Sequence, residues 1–334
     1  MSSSLITQWK EKFLGIFTVQ AVYTSIKLGL IDGLSSGAKS CQELATELKV
    51  NENALLHLLR VLANNGFVEF VAGKYKLTSL SSQLQLHSSD SLYATIVTQK
   101  ELIFPAWDKL HYSIKTGSSG FEAAFQASIY EYLGQNAEAS INFNKCMEET
   151  TREWAIPALD KYNFSQVQKL VDVGGNTGSL TVALLQKYPH LQAILFDLEY
   201  AIKGAKDILE SANVSERCQL IAGDFFKSVP KGGDLYLIAR TLFNWDNSHA
   251  VEILKNVRAA MGSSGKLLIF DMVLPSQGNA EFDLMVSLNL LAINGALLRT
   301  DNEYFELLEK AGFRSPNLII IEGSDFNFIE AIPA

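Results

Sequence analysis

A segment at residues 170–178, which reads LVDVGGNTG, limits the possible folds of this chain more than any other. It is a short apolar strand that runs into a glycine-rich turn and then into a helical stretch, Ser179–Lys187. Four further apolar runs alternate with helical stretches after it and read AILFDL, QLIAG, DLYLIAR and KLLIFDMVL. This alternation predicts an α/β domain whose mostly parallel sheet has helices on both faces and binds a nucleotide-type ligand at its strand ends.

The glycine-rich turn is not a dinucleotide fingerprint, because that pattern needs glycine where the chain has Asn176 and Ser179. An acid before the turn and a closing glycine fit instead a loop that holds S-adenosylmethionine (SAM). The acid would accept hydrogen bonds from loop amides or from the cofactor's ammonium group, and the helix start favours a carboxylate. The alternative is a tight turn without a ligand. The candidate cofactor-binding residues of this loop are Asp172, Gly174, Gly175 and Gly178.

Two more acids follow the next two strands. Asp197 ends the AILFDL run, and an acid at the tip of the second strand can accept both ribose hydroxyls. Asp224 follows the QLIAG run, where it would accept from the adenine amino group while Phe225 covers the ring face. Each acid alone is typical of a helix cap or a surface position. Three acids in order at successive strand ends predict a pocket for an adenosyl group.

The composition excludes several classes of protein. Hydrophobic residues make up 48% of the chain and charged residues 19%, so we expect a large core rather than disorder. The 28 basic and 36 acidic residues give a net charge of −8, which disfavours binding to nucleic acid or to an anionic membrane. The three cysteines lie far apart, so neither a disulfide framework nor a metal site is predicted. With no signal sequence or membrane span recognisable, we expect a cytoplasmic protein.

Residues 40–77 read as two helices followed by a hairpin, which is the winged-helix pattern. Ser40 and Asn51 are predicted to cap the two helices. Winged helices often bind DNA, but the second helix offers only His57 and Arg60 to a DNA groove, among acidic neighbours. A scaffold role is therefore favoured over DNA binding.

Residues 5–31 are predicted to form one apolar helix that has little near it in sequence to pack against. This favours packing onto a second copy of the protein, although ordinary core packing would also explain it. We expect a mainly helical domain over 1–160 and the α/β domain over 161–334.

Several motifs together resemble those of the small-molecule O-methyltransferases of the plant caffeate type and their bacterial relatives. They read VDVGGNTG, ILFDL, GDFFKSVP, LFNWDNSHAVEILKNVRAAM, KLLIFDMVLP and RTDNEYFELLEKAGF. The resemblance covers nearly the whole chain, including the winged-helix region, which serves dimerisation in this family. It implies a SAM-dependent transferase with a Rossmann-like class I methyltransferase domain, a homodimer, and an acceptor pocket between the two domains.

The resemblance also implies roles for individual residues. It places Phe143 and Met147 against the acceptor and Thr151 near SAM. Where the family often has a lysine in the cofactor site, this chain has Ala239, and the neighbouring Arg240 would take over that contact.

The chain departs from the family pattern in its acid–base chemistry. The usual Leu-His-Asp-Trp reads LFNW here, so the general base is replaced by Phe243, which cannot take a proton. The acid that commonly supports that base is replaced by Leu298, whereas the remaining carboxylate position keeps Asp271, a candidate catalytic residue.

Other polar residues are weaker candidates for the acceptor site. His111 lies on an aromatic helix and is a candidate catalytic residue, although a lone histidine in such a setting is more often a packing residue. His249 is expected on the outer face of its helix. Asn289 and Asn294 would offer amide hydrogen bonds to an acceptor carbonyl, or else lie on a helix surface.

Three functions remain open at this point. The first is methyl transfer from SAM to oxygen, carbon or nitrogen of a small molecule that is already activated or is simply held in position. The second keeps SAM bound as an unconsumed electrostatic group during a rearrangement, cyclisation or hydroxylation. The third is a winged-helix regulator that senses a ligand, which the net charge disfavours.

Overall fold

A computed structural model describes residues 5–86, 88, 91–275 and 281–334 of the chain. The chain divides into two compact units, Met1–Glu101 and Leu102–Ala334. Every helix within the described ranges is too short or too polar to span a membrane.

The first unit is a winged helix preceded by a long helix, as predicted. The capping side chains are those expected, because Ser40 Oγ accepts from the amide of Glu43 at 3.2 Å and Asn51 Oδ1 from that of Ala54 at 3.0 Å. The predicted 5–31 helix is broken, since it ends at Lys27 and restarts after Gly29, whose φ of +72° is left-handed. The elements are α1 (Leu5–Lys27), α2 (Leu30–Gly33), α3 (Cys41–Leu48), α4 (Glu52–Asn64), β1 (Val68–Val71), β2 (Lys74–Leu77), α5 (Ser79–Ser82) and α6 (Tyr93–Thr98).

Most of the N-terminal half of α1 is uncovered within the chain. Its C-terminal part packs into the core of the unit through Val22 and Ile26, which are buried. Large apolar side chains before them are more than half exposed: Ile6, Trp9, Phe13, Leu14, Ile16 and Phe17.

The second unit begins with a run of short helices. They are α7 (Phe104–Trp107), α8 (Leu110–Thr116), α9 (Gly120–Phe125), α10 (Ile129–Gln135), α11 (Ala137–Thr150) and α12 (Ile156–Ala158), with a π-helical turn at Thr151–Ala155. Another π-helical turn, Gln99–Ile103, begins in the first unit and ends in the second. Three of these helices, α7, α8 and α9, contact the later helix α17 (Glu281–Asn294), so they belong to the same compact unit as the sheet. The predicted boundary between domains 1–160 and 161–334 differs from the boundary between these two units, and it stays a prediction.

The rest of the second unit is the expected α/β domain. Its strands are β3 (Lys169–Val173), β4 (Gln192–Asp197), β5 (Cys218–Ala222), β6 (Leu235–Ala239), β7 (Lys266–Leu274), β8 (Arg299–Thr300), β9 (Phe313–Ile319) and β10 (Phe326–Pro333). Its other helices are α13 (Ser179–Lys187), α14 (Glu199–Ile202), α15 (Ala205–Ser211), α16 (Asn247–Ala260) and α18 (Asp301–Lys310). The strand order is β5-β4-β3-β6-β7-β10-β9, with β8 beside β7. Strand β10 runs antiparallel to both β7 and β9, and the other strand pairs described in this sheet are parallel.

The order of the strands determines where a ligand can bind. The chain moves outward from β3 through β4 to β5, and then crosses back to place β6 on the other side of β3. Ligands of open α/β sheets bind at such a switch point, outside the carboxyl ends of the strands. Successive residues of β3 pack on opposite faces of the sheet, Leu170 in one core and Val171 and Val173 in the other. Burial on both faces explains why the strand is continuously apolar except for Asp172.

Candidate active site

A cavity of about 560 Å³ lies at the carboxyl ends of strands β3 to β6. This volume is within the range of small-molecule sites. The wall opposite the strand ends comes from α10, α11 and the π-helical turn that follows it. Among the described residues, the lining includes no histidine, lysine or cysteine. The ionisable residues that line it are Tyr130, Glu131, Glu148, Asp172, Asp197, Tyr200, Asp224 and Arg240.

The glycine loop lies against this cavity, and each glycine is needed because neighbouring atoms of the protein or the local backbone conformation disfavour a side chain. A Cβ on Gly175 would lie 2.4 Å from Leu195 Cδ1 and 2.6 Å from the Asp172 carboxylate. A Cβ on Gly178 would lie 2.8 Å from Leu195 Cδ2, and Gly174 and Gly178 have φ values of +76° and +84°. The loop is therefore pressed onto strand β4, and its glycines make that packing possible.

Asp172 lies buried beneath the loop, at the position predicted for a cofactor contact. Its Oδ2 accepts a hydrogen bond of 2.6 Å from the hydroxyl of Thr181. Its Oδ1 is buried and has no hydrogen-bond partner among the described residues. Burial raises the pKa of this carboxyl to about 6. A bound cation would favour the ionised form and would use the remaining oxygen.

Asp197 and Asp224 also line the cavity, as predicted. Asp197 accepts hydrogen bonds from the amides of Asn176 at 2.8 Å and Leu198 at 2.6 Å, which fix its orientation. Burial raises the pKa of Asp197. Asp224 Oδ1 accepts from the amide of Phe226 at 2.9 Å, and its other oxygen lies 3.4 Å from Lys227 Nζ. The three strand-end acids therefore meet at one cavity, together with Phe225.

An aromatic stack closes one side of the cavity, and the sequence analysis did not identify it. Tyr130 of α10 stacks on Trp245, with ring centroids 5.2 Å apart and an angle of 20° between the planes. Phe225 and Phe226 meet the same indole edge to face. The indole Nε1 of Trp245 is buried and has no hydrogen-bond partner among the described residues. The stack joins residues 115 positions apart, so no local pattern could have predicted it.

Arg240 is the one cation among the described residues that line the cavity. Its guanidinium donates to the hydroxyls of Thr151 at 2.7 Å and Thr150 at 2.8 Å, and it lies against the rings of Trp154 and Phe326. Its Nε is buried without a partner among the described residues. Burial lowers the pKa of this guanidinium to about 10. In the described part of the chain its hydrogen bonds go to neutral hydroxyls alone, and a partly buried cation in such a setting is suited to an anionic ligand.

The predicted catalytic positions lie outside the cavity lining. Phe243 is buried in the core, where its ring faces Phe326 at 6.4 Å, and its amide donates to Asp271 Oδ2 at 3.0 Å. Asp271 is buried and also accepts from the hydroxyl of Tyr304 at 3.1 Å. Leu298 packs in the same core as Phe243. Where the resemblance implied a base and its supporting acid, the chain has a hydrophobic cluster.

The weaker candidates divide between the cavity and other places. Phe143 and Met147 line the cavity, and so does Thr151. His111 is exposed on α8 and does not line it. The two amides contact other side chains, because Asn289 Oδ1 accepts from Trp107 Nε1 at 2.6 Å and Asn294 donates to Asn244 at 3.3 Å.

Other residues reach the cavity although the sequence analysis assigned them no contact. His249 is not among them, because it is exposed, as expected for an outer helix face, and its Nδ1 lies 2.8 Å from Asp246 Oδ2. Asn244 lines the cavity and lies beside the LFNW position that the sequence analysis did consider. Asn176 and Thr177 line the cavity from within the glycine-rich turn, and no sequence pattern indicated the lining residues Asn144, Glu148 and Tyr200.

Comparison with known proteins identifies the family. The O-methyltransferase domain family matches residues 107–314, and the O-methyltransferase dimerisation domain family matches residues 11–85. The chain is 32% identical over 324 residues to the phenazine O-methyltransferase PhzM of Lysobacter antibioticus, covering 97% of this chain and 95% of the relative.

Solved structures agree with this assignment. The crystal structure of LaPhzM superposes with a TM-score of 0.94 at 31% identity, covering 99% of this chain and 100% of the other. The O-methyltransferase NcsB1 from neocarzinostatin biosynthesis, in complex with SAM and 2-hydroxy-5-methyl naphthoic acid, superposes with a TM-score of 0.83 at 26% identity. That match covers 95% of this chain and 96% of the other. The chain therefore belongs to the O-methyltransferase family, and it is a SAM-dependent methyltransferase.

Proposed function

We propose that this enzyme transfers the methyl group of SAM to a small secondary-metabolite-like acceptor, with a hydroxyl oxygen as the default target. The observation that carries the proposal is the convergence of Asp172, Asp197 and Asp224 on one cavity at the switch point of the sheet. The relative from Lysobacter is named a phenazine O-methyltransferase, and the structure of NcsB1 contains a naphthoic acid. Both compounds are aromatic.

The residues of the cavity fit SAM. The buried Oδ1 atoms of Asp172 and Asn176, Nε1 of Trp245 and Nε of Arg240 all lack a partner among the described residues, although all four residues line the cavity. Such buried polar groups are costly unless a ligand completes them. The two signs of charge also match, since SAM carries an ammonium and a sulfonium together with one carboxylate.

Each part of the cofactor has a matching group on this chain. Asp197 would hold the ribose hydroxyls, and Asp224 with Phe225 would hold the adenine. Asp172 and the glycine loop would hold the ammonium end, and Arg240, with Thr151 beside it, the carboxylate. When bound, SAM supplies a methyl group that is already strongly electrophilic, so the protein's main tasks are alignment and exclusion of water.

The part of the cavity proposed for the acceptor lacks the usual base. Phe143 and Met147 would contact the acceptor, and no histidine lines the described cavity. A histidine base typically contributes on the order of 10²–10⁴ in rate. We therefore expect an acceptor whose nucleophile is easily ionised, such as an acidic hydroxyl, or one that needs no deprotonation, such as an activated carbon or an amine. Asn289, Asn294 and His111 stay predictions, because none of the three lines the described cavity.

The enzyme is also proposed to act as a homodimer, as predicted from the apolar α1. The match of residues 11–85 to the dimerisation domain supports this, and so do the large apolar side chains exposed on α1. Its cytoplasmic location stays a prediction from the sequence.

A second candidate function keeps SAM unconsumed as an electrostatic group. The cavity without a histidine favours it, because a bound sulfonium could stabilise developing negative charge without methyl transfer. Methyl transfer converts SAM to S-adenosylhomocysteine, whereas the second function leaves SAM unchanged, so measuring this product distinguishes the two.

The experiment incubates the purified enzyme with SAM labelled on its methyl carbon and a panel of hydroxylated, aminated and enolisable aromatic compounds. Methyl transfer predicts labelled product and S-adenosylhomocysteine (SAH) in equal amounts. Conversion of a compound without SAH would support the second function, and labelled product would exclude it. No labelled product from any compound, with SAM bound, would count against methyl transfer.

A further inference from the structure

Glu148 has an unusual place among the carboxylates of the cavity. It lies on α11, and the side chains of Asn144, Met147, Glu148 and Thr151 all line the cavity. These positions are spaced i, i+3, i+4 and i+7, so they form one face of the helix. Glu148 therefore shares this face with Met147, a proposed acceptor contact, and Thr151, a proposed cofactor contact.

The other four carboxylates of the cavity already serve the protein. Asp172 accepts from Thr181, Asp197 from two loop amides, and Asp224 from an amide beside its ion pair with Lys227. Glu131 caps its own helix by accepting from the amide and hydroxyl of Ser128. Among the described residues, Glu148 makes no side-chain hydrogen bond or ion pair. Its carboxylate is half-buried and available to a ligand.

The remaining ionisable residues of the lining are unsuited to take a proton. Burial raises the pKa of both Tyr130 and Tyr200, so these phenols stay protonated near neutral pH and cannot act as bases. Arg240 is a cation. No histidine lines the described cavity, and the free oxygen of Asp172 is assigned to the ammonium group of SAM. Glu148 is therefore the one carboxylate of the described lining that has neither a hydrogen-bond partner nor a proposed cofactor role.

We propose that Glu148 is the proton acceptor for the substrate, in place of the absent histidine. The inference rests on the proposed methyl transfer. As the acceptor O–H bond breaks, its proton passes to a carboxylate oxygen of Glu148 and its electron pair forms the new O–CH₃ bond. The CH₃–S bond breaks with its electrons kept by sulfur, and the proton later leaves to water.

This assignment narrows the substrate class. Carboxylates are weaker bases than imidazoles, so a carboxylate is effective toward hydroxyls that are already acidic. The preferred acceptors are aromatic hydroxyls made acidic by electron-withdrawing substituents or by an extended ring system.

The first test uses Glu148→Gln, which keeps the size of the side chain but cannot accept a proton. The control is Glu138→Gln, which removes the same charge from an exposed position on α11. Calorimetry with SAH comes first, and the dissociation constants of both variants should lie within threefold of the wild type. A tenfold weaker affinity in Glu148→Gln alone would make Glu148 a cofactor contact and overturn the proposal.

The second test uses 2-naphthol, whose hydroxyl becomes strongly acidic when excited and whose naphtholate emits at longer wavelength. Bound to the SAH-loaded wild type and to Glu138→Gln, it should show naphtholate emission, and bound to Glu148→Gln it should show mainly neutral emission. Equal spectra in all three proteins, or no binding to the wild type, would contradict the proposal. Neither result would affect SAH binding, so failure here is distinct from failure of the proposed function.

The third test measures methylation of phenols of graded acidity. In Glu148→Gln, kcat should fall on the order of 10²-fold for weakly acidic phenols and by less for strongly acidic ones. A uniform small loss across the series would indicate a merely structural role and overturn the proposal.

Discussion

The amide of Phe243 donates a hydrogen bond of 3.0 Å to Asp271, and this contact ties the loop after β6 to the adjacent strand β7. The same carboxylate oxygen also accepts from Tyr304 at 3.1 Å. Asp271 is buried and does not line the cavity. We therefore propose that Asp271 positions the loop that carries Arg240 and Trp245, rather than acting on the acceptor.

The buried Asp271 should make stability depend on pH in an uncommon direction. Burial raises its pKa to about 7, above the ~3.9 of an unfolded chain, so the folded state holds the proton more tightly. The free energy of unfolding should then fall as pH rises from about 4 to about 7, by up to about 1.4 kcal/mol per pH unit. Asp271→Asn should flatten this dependence, as measured by urea unfolding between pH 5 and 8. Equal slopes in variant and wild type would show that Asp271 does not titrate in this range.

The glycine loop should not tolerate a methyl group at position 175. Gly175→Ala would place Cβ 2.4 Å from Leu195 and 2.6 Å from Asp172, and overpacking of this kind costs about 1–3 kcal/mol. We expect a lower melting temperature and at least tenfold weaker SAH binding. The matched control is Gly262→Ala, where nothing lies within 4 Å of the added Cβ. If the two variants behaved alike, the tight packing of the loop would be unimportant.

The parts of the site that the sequence predicted depend on where residues stand relative to the ends of their own strand or helix. Asp197 ends its strand and Asp224 comes two residues after its own, and the carboxyl ends of parallel strands meet at one edge, so their convergence could be foreseen. The capping roles of Ser40 and Asn51 depend on three-residue spacings and were equally visible.

The parts that the sequence did not predict depend on contacts between distant elements. The stack of Tyr130 on Trp245 and the bonds from Arg240 to Thr150 and Thr151 join residues about 90 or more positions apart. The burial of Asp271 could not be predicted from the sequence for another reason. Its strand is buried on both faces, so alternation could not show that its carboxylate points away from the cavity.

The apolar side chains exposed on α1 should hold two chains together. Phe13 and Phe17 are 54% and 65% exposed within one chain, and replacing both by glutamate would place charges in the proposed interface. We expect Phe13→Glu/Phe17→Glu to sediment as a monomer at micromolar concentration. Ile320→Glu, at a position 71% exposed in the other unit, should leave the dimer intact. A wild-type protein that sediments as a monomer would contradict the proposal.

Restoring the family's base should widen the range of acceptors. Phe243→His/Leu298→Glu introduces the usual acid–base pair, and we expect it to increase activity toward weakly acidic phenols, if the acceptor lies in the conventional position. The comparison variant is Phe243→His/Leu297→Glu, which places the acid on a side chain that is 53% exposed. Because both Phe243 and Leu298 are buried, the melting temperature must be measured alongside. No gain in a folded variant would contradict this prediction and mean that the acceptor binds away from Phe243.

Calorimetric titration of SAH and SAM into the purified enzyme tests most directly whether the three strand-end acids form one cofactor site. The account predicts one site per chain. It also predicts affinity about 10- to 100-fold weaker in Asp197→Asn, because hydrogen bonds to charged groups contribute about 1.5–3 kcal/mol. Asp207→Asn, at an exposed position on α15, should bind as the wild type does. No binding heat from either compound in the folded wild type, or unchanged affinity in Asp197→Asn, would contradict it.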